Sequence, residues 1–220
     1  MIIPYAKRMS GNGRSLAASA LRFRSFPVTM EGSGSGTDSR HFREGSMQTI
    51  RQATGADLAR IGGIYERIHT AEEEGRAMTG WVRGVYPTEA TARAALARGE
   101  LFVLETGGVI GGAAILNHAQ LPCYTAGDWR TDSPAERVLV MHTLTVDPAL
   151  AGRGLGTAFV RAYEAHARAA GCDALRMDTR ETNLAARSMY RRCGFREAGS
   201  VMSEFNGIPD VPLVLLEKVL

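Results

Sequence analysis

The stretch His142–Phe159, HTLTVDPALAGRGLGTAF, constrains the fold more than any other part of the chain. Its apolar run ends at Val146, and Asp147-Pro148 stops the strand. Gly152-Arg153-Gly154-Leu155-Gly156-Thr157 then leads into a segment with helical apolar spacing. Glycines let a backbone turn tightly and approach a ligand closely. The first N–H groups of a helix have no partner within it, and the helix dipole adds partial positive charge at that spot. Such a unit suits an anion, a pyrophosphate above all. A strand-to-helix turn with no ligand also favours glycine, so the pattern alone leaves both readings open. No Gly-Lys-Ser/Thr follows, which excludes a Walker phosphate loop. A dinucleotide site is disfavoured as well. The turn begins with Asp-Pro, hairpin patterns precede it, and no second βαβ repeat follows.

The flanking pattern supplies the rest of the architecture. Residues 48–53 suit a short strand. Thr54 with Asp57 forms the acidic variant of a capping box, opening a helix with Leu58, Ile61, Ile64, Tyr65 and Ile68 on one face. Thr88 caps a second helix to about Arg98. Leu101–Glu105 and Val109–Leu116, around Gly107-Gly108, read as a hairpin. Arg137–Val146 is a strand, Gly156–Ala170 a helix, Ala174–Thr179 a strand and Asn183–Arg192 a helix. Strands near Glu197–Met202 and Val211–Val219 close the series. This order predicts a mixed α/β sheet of six to seven strands covered by about four helices.

Residues 1–46 carry no sustained period, and 31–37 read EGSGSGT, a linker-like composition. They hold seven basic and three acidic side chains, whereas the remainder is near neutral at −1. We expect 1–46 to be a disordered extension or translated upstream sequence, with the domain at 47–220. A nearly neutral domain offers no electrostatic footprint for nucleic acid. No run of about 18 apolar residues predicts a membrane span. Cys123, Cys172 and Cys193 lie far apart and form no CxxC pair, so neither a metal site nor a disulfide framework is expected. A reduced, cytoplasmic setting is the simplest reading.

Two motifs together resemble a known family. The run V-D-P-x-x-x-G-R-G-L-G-T is similar to the acetyl-CoA-binding motif of the GNAT superfamily of N-acetyltransferases. Asn183-Leu-Ala-Ala-Arg-Ser-Met-Tyr190-Arg-Arg-Cys-Gly194-Phe195 resembles that family's second motif, N-x-x-A-x-x-x-Y-x-x-x-G-F. The resemblance implies the GNAT fold, with acetyl-CoA as co-substrate. It implies a pyrophosphate cradle at Gly152, Arg153, Gly154, Gly156 and Thr157. It implies pantetheine pairing along Leu144, Thr145 and Val146, entry of the thioester between two splayed parallel strands, and a pantetheine contact from Asn183. One position departs from the family: Ala151 stands where Arg or Gln usually begins the glycine turn.

The implied reaction transfers an acetyl group to a primary amine of a small molecule or amino acid by direct attack. The alternatives are a protein or peptide N-acetyltransferase and a non-catalytic CoA-binding domain. The resemblance makes Tyr190 the acid for the leaving thiolate. The base is open. Strand alternation places Val138, Val140, His142, Leu144 and Val146 on one face, which makes His142 the candidate, with His118 weaker. Trp81, Tyr86, Tyr124 and Trp129 are expected as acceptor-pocket walls, and Asp128 as an attractor for the amine. A homodimer is compatible with the family.

Overall fold

The computed structural model describes residues 26–28 and 48–220. Its strands are β1 (Phe26–Val28), β2 (Gln48–Gln52), β3 (Leu101–Thr106), β4 (Val109–Asn117), β5 (Val138–Val146), β6 (Ala174–Arg180), β7 (Arg196–Phe205) and β8 (Ile208–Val219). They form one sheet in the order β1-β2-β3-β4-β5-β6-β8-β7. Seven of them lie within 48–220, as the patterning predicts. The eighth, β1, pairs with Gln48–Ile50. Apart from β1, the expectation for residues 1–46 falls outside the described residues.

Four helices cover the sheet: α1 (Leu58–Glu73), α2 (Glu89–Ala97), α3 (Leu155–Ala169) and α4 (Leu184–Arg192). Asp57 accepts from both the backbone N–H and the hydroxyl of Thr54, which is the expected capping box. Thr88 accepts from Thr91 N and starts α2. Leu58, Ile61 and Tyr65 of α1 pack with Ala92 and Ala95 of α2 over Val103, Ala113 and Ile115. Phe159, Tyr163 and Ala167 of α3 pack on the other face over Leu104, Leu116, Leu139 and Met141.

Among the described strands, β5 and β6 are the one parallel pair, and they pair only over Val138–Val140 with Ala174–Arg176. Beyond that point β6 continues along β8 to Arg180, while β5 continues along β4 to Val146. The two strands therefore part. The Tyr163 hydroxyl sits where they separate, 2.5 Å from Leu139 O on β5 and 3.1 Å from Arg176 O on β6.

The Asp147 of the glycine motif ties this region to α1. Its carboxylate is fully buried. It accepts from Arg60 Nη2 at 2.7 Å, Arg67 Nε and Nη2 at 2.9 Å, and Ala149 N at 3.1 Å. Burial works to raise its pKa, but the Arg67 bond, the Ala149 N–H and the two arginine charges hold it below the usual range. Removing the carboxylate leaves two cations side by side with their heads reaching solvent. Asp147→Ala should therefore cost about 2 kcal/mol, below the range for fully buried pairs. Chemical denaturation should show this as a lower midpoint at unchanged slope.

Candidate active site

The parting of β5 and β6 opens a cleft of about 230 Å³. Met141–Leu144 and Val146 of β5 line one side, and Asp178, Thr179 and Arg180 of β6 the other. Asn183, Ala186, Met189 and Tyr190 of α4 line it as well, as do Thr79, Gly80, Trp81 and Phe205. Gly156, at the start of α3, also reaches the cleft.

The glycine turn has the form its sequence predicts. Gly152 (φ 76°) and Gly154 (φ 74°) both adopt the left-handed conformation that glycine enters without cost. Gly154 is the N-cap of α3, so the N–H groups of Leu155, Gly156 and Thr157 are first-turn donors with no partner inside the helix. A β-carbon on Gly152 would meet nothing within 4 Å, so the turn presents open backbone. Arg153 is exposed on it. Among the described residues, the edge of β5 from Met141 to Val146 that faces β6 has no strand partner. A chain-like ligand with amide groups can pair there, with an anionic group on the turn. These features fit the acyl-CoA co-substrate implied by the motif, and Ala151 removes none of them.

Asn183 caps α4, its Oδ1 accepting from Ala186 N at 3.2 Å, and it also lines the cleft. Tyr190 lies two helical turns further along α4. It is buried, and its ring packs against Phe195. Burial raises its pKa, and the nearby Asp178 charge adds to the rise.

The structure overturns the alternation inferred for β5. The β4–β5 register shifts between Ala113 and Ile115, and Thr143 takes a left-handed φ of 53°. This bulge inserts one residue and reverses the parity of everything beyond it. Leu144 and Val146 pack with Leu139 and Met141 on the α3 side. His142 pairs with Ile115 and faces the α2 side, toward a second cavity of about 210 Å³ shared with Tyr86, Arg98 and Asn117. His142 Nε2 lies 3.0 Å from Ala119 O and 3.1 Å from Asn117 Oδ1. Two acceptors place the proton on Nε2. Burial lowers the imidazole pKa to about 4, against the Ala119 bond, which works upward. His142 thus lines both the cleft and the second cavity, and burial weakens it as a proton acceptor. His118 bonds to Val138 O and does not line the cleft.

The acceptor-side expectations divide. Trp81 lines the cleft and meets Tyr86 edge to face, and Tyr86 meets Phe205 the same way. Tyr86 is buried and its hydroxyl bonds to Thr143 Oγ1, so it stands between the cleft and the second cavity. Tyr124 is not a pocket wall. It is buried with Val140 and Leu215, and its hydroxyl donates to Asp178 Oδ1 at 2.7 Å. Trp129 packs behind it, donating to Tyr124 O with the Arg176 guanidinium over its ring. Asp128 lies outside the cleft, its side chain 88% exposed and paired with Arg196. The loop 117–137 has no apolar period, so its residues could not be placed from sequence.

Asp178 was not singled out by sequence. Burial raises its pKa to about 6, partly offset by the Tyr124 hydrogen bond. A carboxylate with an upward-shifted pKa in a cleft is a functional-site signal. Its only sequence mark is an acid at the end of an apolar strand, MDTR.

A sheet split beside a glycine turn, with a half-buried carboxylate and a buried phenol lining the split, marks the N-acetyltransferase fold class. The chain belongs to the Acetyltransferase (GNAT) family, whose model matches residues 64–195. Among solved structures it is similar to a GNAT-family acetyltransferase from Streptococcus agalactiae, with 20% identity, 79% of this chain and 95% of that chain covered, and a TM-score of 0.67. It is similar to a ribosomal-protein-alanine N-acetyltransferase from Brucella melitensis, with 21% identity, 78% and 99% covered, and a TM-score of 0.56. It also resembles yncA from Salmonella typhimurium, a structure with its cofactor acetyl-CoA, with 25% identity, 79% and 94% covered, and a TM-score of 0.53. No curated protein matches the sequence.

Proposed function

We propose that the protein transfers an acetyl group from acetyl-CoA to the primary amine of a small molecule or amino acid, by direct attack in a ternary complex. The observation that carries this reading is that Asp178 and Tyr190 both line the split between β5 and β6. When bound, acetyl-CoA supplies a thioester carbonyl as the acyl donor. Gly152, Gly154, Gly156 and Thr157, with Arg153 between them, hold the pyrophosphate on the turn and the α3 N-terminus. The backbone of Leu144–Val146 and the side chain of Asn183 align the pantetheine arm. A backbone N–H of that β5 edge donates to the carbonyl oxygen as negative charge builds on it.

The two proton-handling groups follow from their environments. An alkylammonium has a pKa near ~10 and no lone pair for attack. Asp178, ionised above about pH 6, accepts its proton directly or through one water. The desolvation that raises Asp178 lowers an ammonium, which narrows the gap between them. The amine nitrogen then bonds to the carbonyl carbon, the carbon–sulfur bond breaks, and the Tyr190 phenol gives its proton to the departing sulfur. Burial keeps that phenol protonated across the neutral range. The products are the N-acetylated acceptor and free CoA thiol.

Thiol release from acetyl-CoA with a panel of amines tests the reading directly. Acceptor-dependent release is expected, and its absence across the panel would refute it. Tyr190→Phe keeps the ring and removes the proton donor. It should lower kcat by about 10²–10⁴ with little change in acetyl-CoA affinity. Wild-type turnover in that variant would take Tyr190 out of the chemistry.

A further inference from the structure

We infer that Arg180 anchors a carboxylate of the acceptor, and that the acceptor is therefore a free amino acid rather than a simple amine or a peptide terminus. This rests on the acyltransferase reading and narrows its substrate.

Arg180 is the last residue of β6, two after Asp178, so the two side chains lie on the same face of the strand. Both line the cleft. At about 3.3 Å per residue their attachment points stand about 7 Å apart. With a hydrogen bond of about 2.9 Å at each end, that spacing accommodates the short backbone of an amino acid. Its ammonium would meet Asp178 and its carboxylate Arg180.

The guanidinium is held in place yet left under-satisfied. Gly80 passes directly over it. A β-carbon on Gly80 would lie 2.6 Å from Arg180 Cδ and Nη1, and the left-handed φ of 72° at Gly80 favours glycine there. The nearest carboxylate, Glu72, is already engaged, accepting from Thr79 N, Thr79 Oγ1 and Gly80 N at 2.7–2.8 Å. Arg180 Nη1 stands 3.8 Å from it, beyond hydrogen-bond range. Arg180 Nε is buried and has no hydrogen-bond partner among the described residues. Buried donors are nearly always paired, and an orphan in a cleft calls for an explanation. An acceptor carboxylate would take such donors in the paired geometry that arginine favours. A peptide N-terminus has a neutral amide carbonyl at that place and would forgo the charge. Trp81, next to Gly80, and Phe205 also line the cleft and would receive an apolar side chain.

The test compares L-phenylalanine, L-phenylalaninamide and 2-phenylethylamine, which share a side chain and differ at the carboxyl position. Wild-type kcat/KM should favour L-phenylalanine over the other two by about 30-fold, the worth of a charged hydrogen-bonded pair. Arg180→Ala should erase that ratio, and Arg180→Lys should restore part of it. Calorimetric titration of L-phenylalanine into the CoA-bound protein should show the same loss in Arg180→Ala, with acetyl-CoA affinity retained. Equal use of all three acceptors by the wild type, or an equal loss for all three in Arg180→Ala, would overturn the assignment. The titration reads Arg180 without turnover. L-phenylalanine binding that depends on Arg180 in a protein that releases no thiol would support the anchor and count against the acyltransferase reading. Binding that ignores Arg180 would count against the anchor alone.

Discussion

Asp178→Asn should lower kcat/KM by about 10²–10⁴ while acetyl-CoA still binds and the protein becomes more stable at neutral pH. The loss follows from the chemistry: asparagine keeps an acceptor for the Tyr124 hydroxyl but cannot take a proton from the amine. The gain follows from linkage. The folded-state pKa of about 6 lies above the reference value of 3.8. The folded state therefore binds the proton more tightly, and stability falls as pH rises between those two values. Above about pH 6 the full cost is present. For a partly exposed carboxyl it is on the order of 2 kcal/mol. Asp178→Asn removes the charge, so its melting temperature should exceed wild type by about 4–8 °C at pH 7.5 and match it below pH 4. Activity of the wild type should fall on the acid side near pH 6. Tyr124→Phe withdraws a donor from the ionised form and should move that limb upward by about one unit. His142→Ala should leave it in place, because desolvation lowers the imidazole pKa to about 4, well below that limb. Wild-type turnover in Asp178→Asn, or a limb that moves with His142, would transfer the base role elsewhere.

Gly154→Val should abolish acetyl-CoA binding without unfolding the protein. Gly154 has φ 74° at the N-cap of α3, a conformation that a β-branched residue rarely enters. The turn must reshape to admit valine, and the first-turn N–H groups then no longer converge on one point. A loss on the order of 100-fold or more in affinity is expected by calorimetry, with a modest fall in melting temperature from local strain. The Asp147 carboxylate remains with Arg60 and Arg67, so the base of the turn stays attached to α1. Unchanged affinity in a folded Gly154→Val protein would remove the glycine turn from the site and with it the co-substrate assignment.

Features set by neighbours in the chain were legible in the sequence. The capping box at Thr54, the hairpin at Gly107-Gly108, the glycine turn and the Asn183 cap each depend on residues within a few positions of one another. Their spacing therefore carries them. The split between β5 and β6 was expected from the motif resemblance, not from the residues themselves. Alternation along β5 failed at one place, because the bulge at Thr143 is a property of its pairing with β4, 27 to 32 residues away. One inserted residue sent His142 to the opposite side of the sheet from Leu144.

The proton chemistry was the least legible part. Asp178 in MDTR resembles any acid at the end of a strand. What moves its pKa is burial and a hydroxyl from Tyr124, 54 positions earlier. Tyr124 itself read as a pocket wall, since a tyrosine in a loop carries no mark of what its hydroxyl will meet. Asp147 read as a strand stop, while its arginine partners lie 80 and 87 residues before it. The sequence thus determined the helices, the strands and the anion-binding turn, because backbone conformation and capping answer to local side chains. The tertiary structure alone set the surroundings of the Asp178 carboxylate and left the Arg180 Nε without a hydrogen-bond partner among the described residues. Desolvation and hydrogen-bond satisfaction are sums over everything that surrounds a group, and most of what surrounds Asp178 and Arg180 comes from distant parts of the chain.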